Sequence, residues 1–113
     1  MKAANSQSAK IKKDRPWHLC LFVTRESSAS ANAIIQLRRI VAEYLPSDSR
    51  VEVIDLMDEP ERAEEEQILA IPTLVRKSPE PIRRVIGDLS DIHRVLTSIG
   101  FVFERVDAQR LLH

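Results

Sequence analysis

Two residues of a predicted strand in this 113-residue chain have side chains of the types that can bind metals. His18 and Cys20 alternate within an apolar run, so a strand would place an imidazole and a thiol on one face. His93 could approach them and supply a third metal-capable group. The pattern suggests no fourth ligand, and two residues apart on a strand is a common spacing, so we predict no metal site here.

Serines follow the same run at Ser27, Ser28 and Ser30, where a helix begins. A serine here could polarise the sulfur of glutathione, as in some transferases, but capping the helix is the commoner role. Cys20 is the single cysteine, which excludes dithiol chemistry and an internal disulfide. We expect Cys20 to be a buried small apolar residue.

The adjacent pair Arg83 and Arg84 lies in a predicted strand, which sends one guanidinium to each face of a sheet. In one interpretation the strand is an edge, with one arginine in water and the other neutralising Asp55 or Asp88. In the other, the pair belongs to a charge-specific protein interface.

Composition indicates one domain and excludes several classes of function. The chain is 43% apolar and 30% charged with no formal net charge, which argues against nucleic-acid binding. No apolar run approaches the roughly 18 residues of a membrane helix, so we expect no membrane contact and a cytoplasmic location. With Gly87 and Gly100 as its two glycines, the chain cannot form Walker-type or dinucleotide-binding loops.

Charge is unevenly distributed along the chain. Residues 1–15 hold five bases and one acid, and we predict a disordered basic arm there. Residues 52–66 hold eight acids and one base, for a net charge of −7. Asp58, Glu59 and Glu61 surround Pro60 as acids do at a helix start, so this stretch reads as a solvated helix face.

The elements predicted from apolar periodicity alternate between strands and helices. Strands are expected at 17–24, 51–56, 71–75 and 82–86, and helices after the serines up to Pro46, over 60–69, and from a Ser90 cap to Gly100. The first two strands should be parallel and the last two an antiparallel hairpin. This βαβ-α-ββα order is that of a thioredoxin-like α/β domain, in which Pro72 occupies the position of a usually cis proline that opens the third strand.

Three segments carry a more specific resemblance: VIDL at 53–56, AEEEQILAIPTL at 63–74 and PIRRVIGDLS at 81–90. Together they resemble the KaiB family of circadian-clock proteins, over about residues 17–99. The resemblance implies a non-enzymatic regulator that binds the hexameric ATPase and kinase KaiC. It also implies two folds in slow exchange: a thioredoxin-like state that docks on KaiC, and a self-associating ground state of dimers or tetramers. The sensor domain of the clock-output histidine kinase looks similar, and the resemblance implies that kinase or a KaiA-like protein as an indirect partner.

The resemblance assigns roles to individual positions and no cofactor. It implies partner binding by Arg83, Arg84, Gln67 and Arg76, and structural or switch roles for Pro72, Pro79, Pro81, Gly87 and Asp88. The alternative function is a thioredoxin-like enzyme of glutathione-transferase type that uses a serine at 27, 28 or 30.

Some positions depart from the family pattern. Pro79-Glu80-Pro81 replaces three successive prolines, Gln67 replaces a partner-facing lysine, and 101–113 replaces an acidic tail. These departures indicate a divergent member and leave a non-cyanobacterial source open. We expect a domain over 16–100 and a tail over 101–113, whose Phe101, Phe103, Val106 and Leu111 add apolar surface that favours self-association.

Overall fold

The computed structural model describes residues 15–102, which form four strands and three helices. The strands are β1 (His18–Val23), β2 (Arg50–Asp55), β3 (Thr73–Ser78) and β4 (Arg83–Ile86). The helices are α1 (Ser28–Tyr44), α2 (Glu61–Glu65) and α3 (Ile92–Ser98). The predicted order is confirmed, but α2 is shorter than the predicted 60–69, because the backbone turns left-handed at Gln67 (φ 57°).

The strands form one sheet in the order β2-β1-β3-β4. β1 and β2 are parallel and β3 and β4 are antiparallel, both as predicted, and β3 is also antiparallel to β1. Consequently β2 and β4 are the two edges of the sheet.

Side chains of β1 alternate between two apolar cores, which is why its sequence is apolar throughout. Leu19, Leu21 and Val23 face the larger core with α1 and α3, whereas Cys20 and Phe22 face a smaller one with Ile68. Helices α1 and α3 therefore cover one face of the sheet, and residues 61–69, which we call the α2 segment, cover the other.

Polar side chains cap the starts of α1 and α3, as expected, but the residue that caps α3 is not the one predicted. Ser27 caps α1, its side chain accepting a hydrogen bond from the Ser30 backbone N–H at 3.1 Å. The prediction that Ser90 caps α3 is wrong: Asp91 does so, its Oδ1 accepting from the Arg94 backbone N–H at 3.1 Å. The left-handed backbone at Leu89 (φ 65°) delays the helix by one residue.

The prediction that Phe101 adds exposed apolar surface is also wrong. Phe101 is 8% exposed, and its ring packs edge-on against Tyr44, with centroids 5.6 Å apart, and obliquely against Trp17. Val102, the next residue, is exposed. Phe103, Val106, Leu111 and the predicted arm up to residue 14 lie outside the described residues.

Within residues 15–102, no helix combines the length and apolar character required to cross a bilayer.

Candidate functional site

Strand β4 presents the arginine pair at a sheet edge. Arg83 lies opposite Arg76 and Arg84 opposite Val75, so the two guanidinium groups leave the strand on opposite faces, as predicted. Both side chains are exposed. Within the described part of the chain neither forms an ion pair, and Asp55 pairs with Arg25 instead, at 3.0 Å. The interpretation in which one arginine neutralises Asp55 or Asp88 is therefore not supported.

Arg84 lies beside an open groove, which we call the edge groove, between the α2 segment and β4. Its Nη1 donates a hydrogen bond to the Gln67 carbonyl oxygen at 3.4 Å. The groove has a volume of about 820 Å³ and is lined by Ala63, Glu64, Gln67, Ile68, Leu69, Thr73, Arg84 and Ile86. Leu69 is 96% exposed and Ile86 is 59% exposed. Large apolar side chains this exposed, next to a cation that forms no ion pair within the described part of the chain, are typical of an interaction surface.

The structure contradicts a partner-contact role for Arg76 in this fold, because the side chain is only 1% exposed. It spans the interior from β3, donating to the Ile99 carbonyl at 2.6 Å and the Pro81 carbonyl at 2.7 Å. Its guanidinium carbon lies 5.1 Å from the Trp17 ring centroid. Burial, and then the nearby Arg83 charge, lower the pKa of Arg76.

Arg83 projects to the face that holds α3 and lies over its end. A Cβ added at Gly100 would stand 3.1 Å from Arg83 Nε and 2.5 Å from Arg76 Nη1. Gly100 has φ +90°, so a residue without Cβ is needed there for both reasons. The two arginines and the end of α3 thus form one packed corner of the fold.

The predicted switch prolines bracket β3. The Ile71–Pro72 bond is cis, as expected, and Ser78–Pro79 and Glu80–Pro81 are cis as well. The Gly87 backbone N–H donates to the Pro72 carbonyl at 3.0 Å, with Gly87 at φ 122°. Asp88 Oδ1 accepts from the Ser90 N–H at 3.1 Å, which shapes the turn between β4 and α3.

The serines at the start of α1 are used by the backbone. Ser27 caps the helix, and Ser30, which is buried, accepts a hydrogen bond from the Thr24 N–H at 3.1 Å through its hydroxyl oxygen. Ser28 is exposed in the first turn. This arrangement supports the capping interpretation over a glutathione-polarising one.

Cys20 is buried in β1 as predicted, and His18 shares its face. His93, in contrast, does not approach them, because α3 packs against the other face of the sheet. Glu52 of β2 lies beside them instead and was missed as a candidate. Only the register of β1 against β2 could have identified it.

Several acids of the 52–66 stretch form ion pairs with bases from other parts of the fold. Arg25 Nη1, in the turn before α1, contacts Asp55 Oδ2 and Asp58 Oδ1, the latter at 2.9 Å. Lys77 of β3 contacts Glu66 at 2.6 Å, and its hydrogen bond holds the pKa of Glu66 below the usual range. Part of the acidic run is therefore neutralised within the fold.

Two solved structures share this fold. Mitochondrial thioredoxin 3 from Saccharomyces cerevisiae superposes with a TM-score of 0.63 and 18% identity, over 85% of this chain and 88% of that chain. The N-terminal domain of SasA from Synechococcus elongatus gives a TM-score of 0.59 and 23% identity, over 79% of this chain and 90% of that one. The protein is a thioredoxin-like α/β domain.

Sequence comparison is more specific than the fold. The KaiB domain model matches residues 20–100. Circadian clock protein KaiB3 from Synechocystis sp. is 42% identical over 86 residues, which are 76% of this chain and 84% of that protein. Circadian clock oscillator protein KaiB from Nostoc punctiforme is 36% identical over 96 residues, 85% of this chain and 92% of that one. The chain belongs to the KaiB family, and a clock-related function follows from that membership.

Proposed function

We propose that this protein is a clock or timer regulator that docks on a KaiC-type ATPase hexamer and changes its ATPase or phosphorylation cycle. The observation that carries the proposal is the exposed arginine pair on the edge strand, of which Arg84 lines the apolar edge groove. The KaiB family match supplies the class of partner.

The edge groove offers both parts of a protein interface. Leu69 and Ile86 present apolar area, and fully burying each side chain would contribute about 1.5–3 kcal/mol. Arg84 supplies a guanidinium that makes no ion pair among residues 15–102. A carboxylate on the partner could therefore form an ion pair with Arg84 without breaking an ion pair within residues 15–102.

We further propose that the thioredoxin-like fold is the binding-competent state and that it exchanges slowly with a self-associating state. The segment from residue 70 onward would change its packing. Two features support this. β4 is a four-residue edge strand in which only Val85 is buried, and α3 has only seven residues. Such short elements gain little from their own internal bonds, so two packings can differ by a few kcal/mol.

The test is to measure binding of the full chain to a purified KaiC-type hexamer by fluorescence anisotropy. Arg83→Glu and Arg84→Glu should each weaken binding at least about tenfold, equivalent to about 1.4 kcal/mol. Arg39→Glu is the matched control, because Arg39 is an exposed arginine that belongs to α1 rather than to the edge strand β4 and does not line the edge groove.

Three results would contradict the proposal. The first is no binding by the unmodified chain, and the second is a loss of affinity in Arg39→Glu as large as in the β4 variants. The third is turnover of glutathione with an electrophile by the purified chain, lost in serine-to-alanine variants at 27, 28 or 30. The exchange is tested separately by NMR from micromolar to millimolar concentration: one unchanged fold, with and without the hexamer, would refute it.

A further inference from the structure

A separate group of side chains lies near the start of β1, on the same face as α2 but at the other end of the strands from the edge groove. Parallel pairing places Glu52 directly beside Cys20, and strand alternation places His18 on the same face. His18 Nε2 lies 2.6 Å from Glu52 Oε2 and 3.7 Å from Cys20 Sγ. All three ligand atoms fall within 4.8 Å of one another.

We propose that His18, Cys20 and Glu52 bind a zinc ion. An imidazole nitrogen, a thiolate sulfur and a carboxylate oxygen are the donors that Zn²⁺ takes in proteins. Zinc–nitrogen and zinc–sulfur bonds of about 2.0 and 2.3 Å set tetrahedral donor atoms roughly 3.5 Å apart. The distance between His18 Nε2 and Cys20 Sγ already matches this value. The carboxylate would move away from the imidazole by less than about 1 Å and toward the sulfur, since the three ligand atoms now lie within 4.8 Å of one another.

The position of the three groups suits a site with a solvent-accessible coordination position. Cys20 is buried, whereas the side chains of His18 and Glu52 are 24% and 31% exposed, so an ion would meet these two ligands first and reach the sulfur once they separate. Three protein ligands leave a fourth position for water, as in zinc sites that are not purely structural.

Charges around the cluster act on the thiol and on the carboxylate. Zinc binds cysteine as the thiolate, so Cys20 must release its proton when the ion binds. Burial raises the pKa of this thiol, and four neighbours also act on it: Glu52 and Glu66 raise its pKa, whereas Lys77 and Arg62 lower it. Arg50 Nη2, 3.3 Å from Glu52 Oε2, competes with the ion for the carboxylate.

The experiment is a titration of the full chain, reduced and prepared without a polyhistidine tag, with Co²⁺ and then Zn²⁺. We expect one equivalent of Co²⁺ to give a near-ultraviolet thiolate-to-metal charge-transfer band, which Zn²⁺ then abolishes by displacement. Cys20→Ser should remove the band. His18→Gln and Glu52→Gln should weaken binding by about 100-fold or more, beyond the loss typical of outer-shell partners. Their partly exposed side chains keep the test independent of whether Cys20→Ser folds.

The chain provides matched controls, since His93 and His113 are its other two histidines. His93→Gln and His113→Gln should leave the band and the affinity unchanged. The proposal is overturned if the chain binds neither metal below millimolar concentration, if the band persists in Cys20→Ser, or if a control variant loses binding as His18→Gln does.

Discussion

Replacing the buried Arg76 by methionine should destabilise the protein strongly. Methionine can fill the space of the aliphatic stem, but it cannot donate to the Ile99 and Pro81 carbonyls. The substitution also removes the cation stacked on Trp17. The substitution therefore tests whether the hydrogen bonds of this guanidinium outweigh the cost of burying a charge that has no carboxylate partner among residues 15–102.

We expect the hydrogen bonds of Arg76 to stabilise the fold by more than burial of its charge destabilises it. A hydrogen bond from a charged donor contributes about 1.5–3 kcal/mol in mutational series, which already include the cost of desolvation. Two such bonds amount to about 3 kcal/mol at the lower end. The cation–π contact adds about 1–2 kcal/mol in a desolvated setting. Opposing this, Arg76 Nε has no hydrogen-bond partner among the described residues, which lowers the net value. We expect the free energy of unfolding to fall by about 3 kcal/mol.

Urea unfolding, monitored by circular dichroism, measures this change in the free energy of unfolding directly. For a domain of this size, 3 kcal/mol corresponds to a fall in Tm of roughly 12 °C or more. Arg94→Met is the control, because Arg94 is exposed on α3, and its effect should stay within about 0.5 kcal/mol. A variant Arg76→Met as stable as the unmodified protein would refute the reasoning, since it would mean that the buried charge costs as much as its bonds return.

Three further changes test other parts of the fold by the same unfolding assay. Ser27→Ala should cost about 1 kcal/mol through the lost cap, whereas Ser28→Ala should change little; equal effects would contradict the capping assignment. Gly100→Ala should cost at least about 1–3 kcal/mol, because its positive φ strains the residue and its Cβ meets a buried guanidinium; unchanged stability would contradict this. Because the hydrogen bond from Lys77 lowers the folded-state pKa of Glu66, its stabilisation is complete above the ordinary glutamate pKa of about 4.3 and is lost as pH falls through the folded value. Glu66→Gln should therefore flatten the decline in stability between about pH 5 and 3, and an unaltered pH profile would count against the pairing.

Sequence patterns predicted the parts of the fold that depend on apolar periodicity. β1 and α1 were predicted with bounds close to those observed, because a buried strand and an amphipathic helix leave unambiguous patterns. The predicted arginine pair on opposite faces was confirmed for the same reason, since strand alternation alone fixes it.

The features that were missed depend on contacts between distant segments. The partner-binding role predicted for Arg76 was wrong for this fold, because nothing local shows that the Pro81 and Ile99 carbonyls accept its hydrogen bonds in the interior. Glu52 joins His18 and Cys20 only through the β1–β2 register. The α3 cap moved from Ser90 to Asp91 because adjacent residues with equal capping ability are separated only by the preceding turn.

The alternation of Arg83 and Arg84 has a consequence for how selective a partner can be. In β4 these neighbours point about 180° apart, whereas in a helix neighbouring side chains are separated by about 100°. A partner that contacts both guanidinium groups at once must reach around the rim of the sheet. Such a partner would discriminate by backbone geometry as well as by charge, and would reject the same two arginines whenever residues 83–86 leave the extended conformation.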